Sequence, residues 1–228
     1  MLSLEASPTP RRGFLGRLAA ATLALGAGAL PNRLRAEPAD HFAGFDGPDP
    51  EHWLDGLKGK HRQVYDAVSP NNGMSLIWSA VFLDSNNQSA GLKDSDLNAV
   101  VVLRHSAIPL AFTDSVWQKY KLGEAFDVKD PGTKASAERN PYFHPHEGEL
   151  LLPGSAIEKL LDRGVIFGVC NVALTIFSGM RADAIGVPKD AAKAEWIAGL
   201  IPGMTIVPAG VWAVNRAQER GCTYCYAG

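Results

Sequence analysis

The sequence predicts an α/β protein, a three-layer sandwich in which helices cover a mostly parallel sheet of about five strands. Two observations lead to this prediction. Short runs rich in Val, Ile and Phe alternate with segments whose apolar residues recur at helical spacing. The run 97–103 is continuously apolar but for one Asn, which is typical of a strand buried on both faces. Strands that alternate with helices imply crossover connections and therefore a parallel sheet.

The elements can be assigned in order along the chain. Residues 69–73, Ser-Pro-Asn-Asn-Gly, break the first strand and can cap the helix that follows. The first half predicts a strand over 63–67, a helix over 74–83, a strand over 97–103 and a helix containing Phe112, Val116 and Tyr120. The second half predicts a helix over 154–163, a strand over 165–169, helices over 171–180 and 191–200, a strand over 204–207, a helix over 210–220 and a strand over 222–226.

Between these halves, residues 121–153 show no clear periodicity. A section of this length is unusual inside a compact domain, so we interpret it as an insertion loop. It is either a functional lid, a subunit contact or a partly helical segment. Trp117, Tyr142 and Phe143 are expected to be exposed and available to a ligand or partner, and the alternative is that they pack in the core.

The N-terminus carries a distinctive motif. Arg11 and Arg12 are followed by Phe14-Leu15 and by a weakly apolar run, 18–30, diluted with Ala and Gly. This resembles a twin-arginine (Tat) export signal, and the alternative is a basic, Ala-rich start of a helix. Signal cleavage is expected after Ala27-Gly28-Ala29 or at Ala36.

The domain organisation follows from this motif. We expect a Tat signal peptide over 1–36, an extended lead-in over 37–60 and an α/β domain over 61–228. The apolar run is too short to span about 30 Å of hydrocarbon, and no later run is long enough either, so no stable membrane span is expected. The Tat translocase would carry the folded domain to the periplasm or otherwise out of the cytoplasm.

Charge and composition exclude several classes. Residues 1–36 hold five Arg and one Glu of the chain's 22 basic and 24 acidic residues, which leaves 17 against 23 and a net charge near −6. This argues against a nucleic-acid partner, which requires a basic face. Three cysteines are too few for a disulfide scaffold. No nucleotide, haem, serine-hydrolase or zinc-protease motif is present, so no cofactor is predicted.

Chemistry-bearing residues follow the predicted strands. Asp66 lies at the end of the first strand, Arg104 and His105 after the second, and Cys170 after the third. The carboxyl ends of parallel strands share one edge of the sheet, where ligands collect, so these residues are expected along one rim.

Cys170 is the candidate nucleophile, with Arg104 and His105 as its supporting residues. It directly precedes a predicted helix, and the positive end of the helix dipole stabilises a thiolate. A thiolate there can attack sulfur or carbonyl electrophiles or carry a persulfide. The alternatives are that Cys170 fills the strand end as a small apolar residue and that Arg104 and His105 only bond to loops.

Two further motifs are weaker. Cys222 and Cys225 lie in a predicted strand, where residues three apart face opposite sides about 10 Å from each other, beyond the reach of a disulfide.

A structural zinc site would need a second ligand pair beside these cysteines, and His144 and His146 could supply it, but nothing in the sequence links them to the C-terminus. A solvated loop is therefore the expectation for His144 and His146, with a metal-binding protein as the alternative, and no metal is assigned.

The C-terminal half resembles the DsrE/DsrF-like family. The resemblance rests on Gly-Val-Ile-Phe-Gly-Val-Cys over 164–170, Pro-Gly-Met-Thr-Ile-Val-Pro-Ala-Gly over 202–210 and Gln-Glu-Arg-Gly over 218–221, and it extends over 63–226. Two departures are the long section 121–153 and Cys222, where the family has Tyr.

The resemblance implies a small α/β sandwich that assembles into trimers or hexamers. Some members relay sulfur as a cysteine persulfide, and Cys170 occupies a cysteine position that recurs among them. Our leading hypothesis is therefore an exported protein that handles sulfane sulfur on Cys170, possessing sulfurtransferase or sulfur-carrier activity. The alternative is a non-catalytic oligomeric module of the periplasm that binds a small ligand or a protein.

Overall fold

The computed structural model describes residues 49–228 and confirms the α/β class. Its sheet has five strands in the order β4-β3-β2-β1-β5, and every neighbouring pair is parallel. The predicted signal peptide and the first half of the predicted lead-in lie outside the described residues. The strands are β1 (His61–Ala67), β2 (Leu97–Leu103), β3 (Ile166–Cys170), β4 (Thr205–Val207) and β5 (Thr223–Tyr226).

Seven α-helices connect the strands of the described region. The first helix runs seven residues beyond its predicted end at 83. Its last two turns are mostly polar and have little buried surface, so apolar residues do not recur there at helical spacing. Gly91, in a left-handed conformation, ends the helix. The helices are α1 (Met74–Ala90), α2 (Asp114–Tyr120), α3 (Leu122–Ala125), α4 (Ile157–Asp162), α5 (Asn171–Ile185), α6 (Lys189–Ala198) and α7 (Gly210–Glu219).

The strand order determines which face each helix covers. The chain moves in one direction from β1 to β4, so right-handed crossovers place α1 to α6 on one face. It then returns to the far side of β1 to form β5, which puts α7 on the opposite face. The two buried clusters reflect this, since Tyr65 and Val101 belong to the larger one and Val64 and Val100 to the one beneath α7.

The described part of the predicted lead-in is packed against the α7 face. Residues His52–Leu54 form a 3-10 helix with Trp53 and Leu54 buried. The ring of Trp53 lies against the backbone of Gly168 in β3, and a Cβ at that position would sit 2.6 Å from the ring. Glycine therefore allows the indole to pack flat on the middle of the sheet.

The long section 121–153 is mostly irregular, apart from the single turn of α3. It is nevertheless tied to the core. Asn140 is fully buried, and its side-chain amide donates to the carbonyls of Leu110 at 3.1 Å and Phe112 at 2.9 Å. The expectation that the aromatic residues of this region are exposed is wrong for two of the three: Trp117 and Tyr142 are buried, and Phe143 is partly buried.

Within residues 49–228, no helix has the length and apolar character needed to cross a membrane.

Candidate functional site

The C-terminal edge of the sheet brings the predicted rim residues to one side of the molecule. Asp66 is the penultimate residue of β1, Arg104 and His105 directly follow β2, and Cys170 is the last residue of β3. The rim predicted from the alternating pattern is therefore present. Arg104 packs against Gly210 at the start of α7, whereas Cys170 belongs to the larger buried cluster on the other face, where His105 lies against Phe177.

Cys170 caps the helix that it precedes. Its backbone is extended, with φ −66° and ψ 111°, and its Sγ accepts a hydrogen bond from the backbone N–H of Ala173 at 3.3 Å. The side chain is buried, with 5% of the residue exposed, and the sulfur is not in a disulfide. The sulfur thus lies at the positive end of a 15-residue helix, where negative charge on it is stabilised.

Arg104 is held by a buried carboxylate. Its Nε and Nη2 donate to the two oxygens of Asp66 at 2.6 and 2.9 Å, which is the bidentate geometry of a strong charge-assisted pair. The hydrogen bond to Asp66 is the main cause that raises the pKa of Arg104, so the guanidinium stays cationic. Arg104 follows β2 beside Cys170 of β3, because Leu103 pairs with Val169 in the sheet.

Tyr224 completes this network from β5. Its hydroxyl donates to Asp66 Oδ2 at 2.9 Å, so the carboxylate receives three hydrogen bonds from two side chains. Burial, and then the hydrogen bond to Asp66, raise the pKa of Tyr224. The sequence reasoning missed Tyr224. Asp66 itself was the available signal, because a carboxylate inside an apolar strand requires donors nearby.

Gly210 provides space for the Arg104 side chain. It is the first residue of α7, and a Cβ there would collide with the Cβ and Cδ of Arg104. The Pro-Ala-Gly sequence that follows β4 thus lets α7 begin directly over the arginine stem. This close approach keeps the guanidinium aligned with Asp66.

His105 forms no side-chain hydrogen bond with Asp66, Arg104 or Tyr224 within residues 49–228. Its backbone is left-handed, with φ 49°, and its ring lies edge-on to Phe177 of α5 at 6.0 Å between centroids. Its Nδ1 is 2.9 Å from the hydroxyl of Ser106, which in turn donates to the carbonyl of Val68. No hydrogen bond of His105 to Cys170 occurs in the described part of the chain, so any effect of the imidazole on the thiol acts through space.

The two C-terminal cysteines are separated, as expected. Cys222 belongs to the buried cluster beneath α7, whereas Cys225 packs against the cluster on the other face. Both are free thiols. Burial raises the pKa of Cys222 to about 11 and also raises that of Cys225, so both favour the protonated form at neutral pH.

His144 and His146 lie on the surface of the long section. The backbone N–H of His144 bonds to Glu158 at 3.0 Å and that of His146 to Glu149 at 2.7 Å. Residues 49–228 contain no group of three or more His, Cys, Asp or Glu side chains placed to hold a metal ion.

The long section also shapes the surface. An open depression of about 640 Å³ lies between α2, α3 and residues 136–138. Its floor includes Trp117 and Ala137, and its rim carries Lys121, Glu124 and Glu138. Its lining contains none of the rim residues Asp66, Arg104, His105 and Cys170.

Comparison with known proteins gives no match: no protein-family model, no curated protein and no solved structure is significantly similar to the chain.

Proposed function

We propose that this protein is an exported sulfur carrier that holds sulfane sulfur as a persulfide on Cys170. The observation that carries the proposal is the position of the sulfur, which accepts the Ala173 N–H at the N-terminus of α5. Arg104 supports it as a nearby permanent cation. The resemblance of residues 63–226 to the DsrE/DsrF-like family and the Tat-like motif at Arg11-Arg12 motivate the sulfur chemistry and the exported setting.

The reaction requires no outside oxidant. The Cys170 thiolate attacks the terminal sulfur of a donor persulfide, R–S–SH, and forms a new S–S bond. The donor S–S bond breaks, and R–S⁻ leaves with the electron pair. Cys170 then carries the –S–SH group, and attack by an acceptor thiolate on its outer sulfur reverses the process.

The surrounding groups have distinct roles in this step. The N-terminal amides of α5 stabilise the anionic sulfur before the attack and again when the carrier thiolate leaves. Arg104 adds positive charge, and Asp66 fixes the position of that charge through two hydrogen bonds. His105 is assigned no proton transfer, since its ring is engaged by Ser106 and Phe177.

The burial of Cys170 indicates the kind of donor. Because only 5% of the residue is exposed, a thin, linear donor suits Cys170 better than a bulky protein surface. Inorganic polysulfide and small alkyl persulfides have this shape. We therefore propose a small-molecule donor.

The test is intact-mass spectrometry before and after exposure to polysulfide. We expect wild-type protein to gain the mass of one sulfur atom, reversibly with a reducing agent, and Cys170→Ser to gain none. Cys222→Ser and Cys225→Ser are matched controls, because both thiols are also free but lack the helix N-terminus. A gain that persists in Cys170→Ser rejects the proposal.

The depression beside α2 supports a second candidate, a small-ligand binding module. It is concave and carries charged residues of both signs, Lys121, Glu124 and Glu138. Native mass spectrometry of the purified protein tests this idea. A co-purifying small molecule that is absent from a Ser136→Trp variant, in which the new side chain fills the depression, would support it, and identical spectra would not.

A further inference from the structure

The outer edge of β5 is an open strand edge. Within residues 49–228, β5 pairs only with β1. In a parallel ladder, alternate residues bond to a given neighbour. The N–H of Ala227 donates to the carbonyl of Asp66 at 3.0 Å, so Cys225 and Ala227 face β1. The backbone N–H and C=O groups of Tyr224 and Tyr226 therefore point outward, away from the sheet.

Within residues 49–228, the β5 edge lacks the charged residues and prolines that commonly prevent strand pairing. Thr223–Tyr226 contains no charged residue and no proline, and it is regular over its four residues. The opposite edge of the sheet is different. There β4 has only three residues, Pro208 follows it at once, and Pro50 and Trp53 lie beside it. The β4 edge is thus protected against pairing with another strand, and the β5 edge is not. This difference indicates that β5 has a strand as its partner.

Two aromatic side chains of β5 are accessible. Tyr224 and Tyr226 are 46% and 55% exposed and lie on the same face of the sheet. Because β5 is uncharged, two copies can meet there without like-charge repulsion. Aromatic residues that face each other across an antiparallel pair stabilise the pairing of the two strands.

One register suits a second copy of the chain. Antiparallel pairing about a two-fold axis at Cys225 sets each Tyr224 opposite Tyr226 of the other copy. Both outward residues of each strand then form hydrogen-bonded pairs, which gives four hydrogen bonds. The axis passes between two copies of Cys225, which form a non-hydrogen-bonded pair with Cα atoms about 4.5 Å apart.

We propose that two copies of this chain associate through β5 in antiparallel pairing centred on Cys225, which extends the five-stranded sheet across a two-fold axis. The occupant of the edge is thus the same strand, which is self-complementary in this register. The inference is independent of the sulfur-carrier function, because Cys170 lies three strands away and takes no part in it.

The register makes Cys225 a reporter of the interface. A Cα separation of about 4.5 Å lies within the range that a disulfide spans, about 4.4–6.8 Å. Diamide is a suitable oxidant, because it takes two electrons and two protons from a pair of thiols and becomes the corresponding hydrazine. We expect diamide to cross-link the full chain into a covalent dimer that Cys225→Ser abolishes. Cys222→Ser and Cys170→Ser are expected to leave the cross-link intact.

Sedimentation velocity under reducing conditions tests the non-covalent association. We expect the full chain to sediment as a dimer or a multiple of it, and Tyr226→Lys to weaken the dimer by at least about tenfold in dissociation constant. Tyr226→Pro removes an outward N–H without touching the β1 ladder and should have the same effect. Val211→Lys is the matched control, since Val211 is exposed and apolar but lies on α7.

Three results would overturn the proposal. The first is a chain that remains monomeric at high concentration. The second is an assembly that both Tyr226 variants leave unchanged while circular dichroism shows them folded. The third is cross-linking that proceeds equally well without Cys225. If one Tyr226 variant fails to fold, the other still tests the proposal. The two act differently, because Tyr226→Lys keeps the backbone N–H that Tyr226→Pro removes.

Discussion

Arg104 and Asp66 form a bidentate ion pair at the C-terminal edge of the sheet, with N–O distances of 2.6 and 2.9 Å. The Asp66 side chain is 6% exposed and that of Arg104 is 26% exposed. The pair joins β1 to the chain just after β2, and Tyr224 connects β5 to it. One buried carboxylate thus fixes the relative positions of three segments beside Cys170.

Removing the arginine is expected to destabilise the protein strongly. Arg104→Met leaves the Asp66 carboxylate buried without its cation, so the free energy of unfolding should fall by about 3–5 kcal/mol in urea denaturation. The double variant Asp66→Leu/Arg104→Met removes both charges and should recover a large part of the loss.

Lys119→Met is the control for this experiment. Lys119 pairs with Glu195 at 2.6 Å, but both side chains are nearly half exposed. Such surface pairs contribute about 0–1 kcal/mol. If Arg104→Met lowers the free energy of unfolding no more than Lys119→Met does, the Asp66–Arg104 pair does not hold the segments of the rim together.

Gly210→Ala tests the close approach of α7 to Arg104. The added methyl group would collide with the arginine stem, so either α7 or the guanidinium must shift. We expect a loss of about 1–3 kcal/mol in unfolding free energy, the usual cost of overpacking. Gly154→Ala is the matched control, because no atom lies within 4 Å of a Cβ at that position, and its stability should stay near wild type. Equal stability of the two variants would contradict the contact.

The strand β2 was predictable because burial on both faces leaves a continuous apolar run in the sequence. The strand predicted over 97–103 matches β2 at both ends, since every residue of it is buried. The alternation of strands and helices also predicted which residues lie along the rim, because the carboxyl ends of parallel strands share one edge of the sheet. Cys170 and Arg104 are therefore found where the sequence places them.

The network around Asp66 was not predictable in the same way. It depends on β5 lying beside β1, and a chain that moves from β4 back across the sheet gives no local sign of this. The burial of Tyr142 escaped prediction for a related reason. It lies in an irregular segment whose packing depends on hydrogen bonds such as those of Asn140, which have no sequence period.

Export through the Tat route can be tested by replacing both arginines. Arg11→Lys/Arg12→Lys should retain the protein in the cytoplasm of a bacterium that has the Tat translocase, while wild type reaches the periplasm. Arg17→Lys lies in the same segment and is expected to be exported normally. Cell fractionation with marker enzymes measures the distribution, and export of the double variant would refute the signal assignment.

Acid sensitivity should depend on Asp94. Its carboxylate receives hydrogen bonds from Arg163 at 2.7 and 3.0 Å, and these lower its pKa below the ordinary value of 3.8. Because the folded state holds the proton less tightly than the unfolded chain, this interaction stabilises the protein fully above pH 3.8 and is lost as the pH falls through the lower, folded-state pKa.

Asp94→Asn should therefore lower the unfolding free energy at pH 7 by about 1 kcal/mol, as expected for a partly exposed pair. The difference from wild type should shrink as the pH falls below 3.8, because the unfolded wild-type chain then takes up the proton first. Asp127→Asn is the control, since its carboxylate is 87% exposed and its pair with Lys129 is open to solvent. Urea denaturation at several pH values measures both variants. A deficit of Asp94→Asn that does not change with pH would show that Asp94 acts through packing and not through its charge.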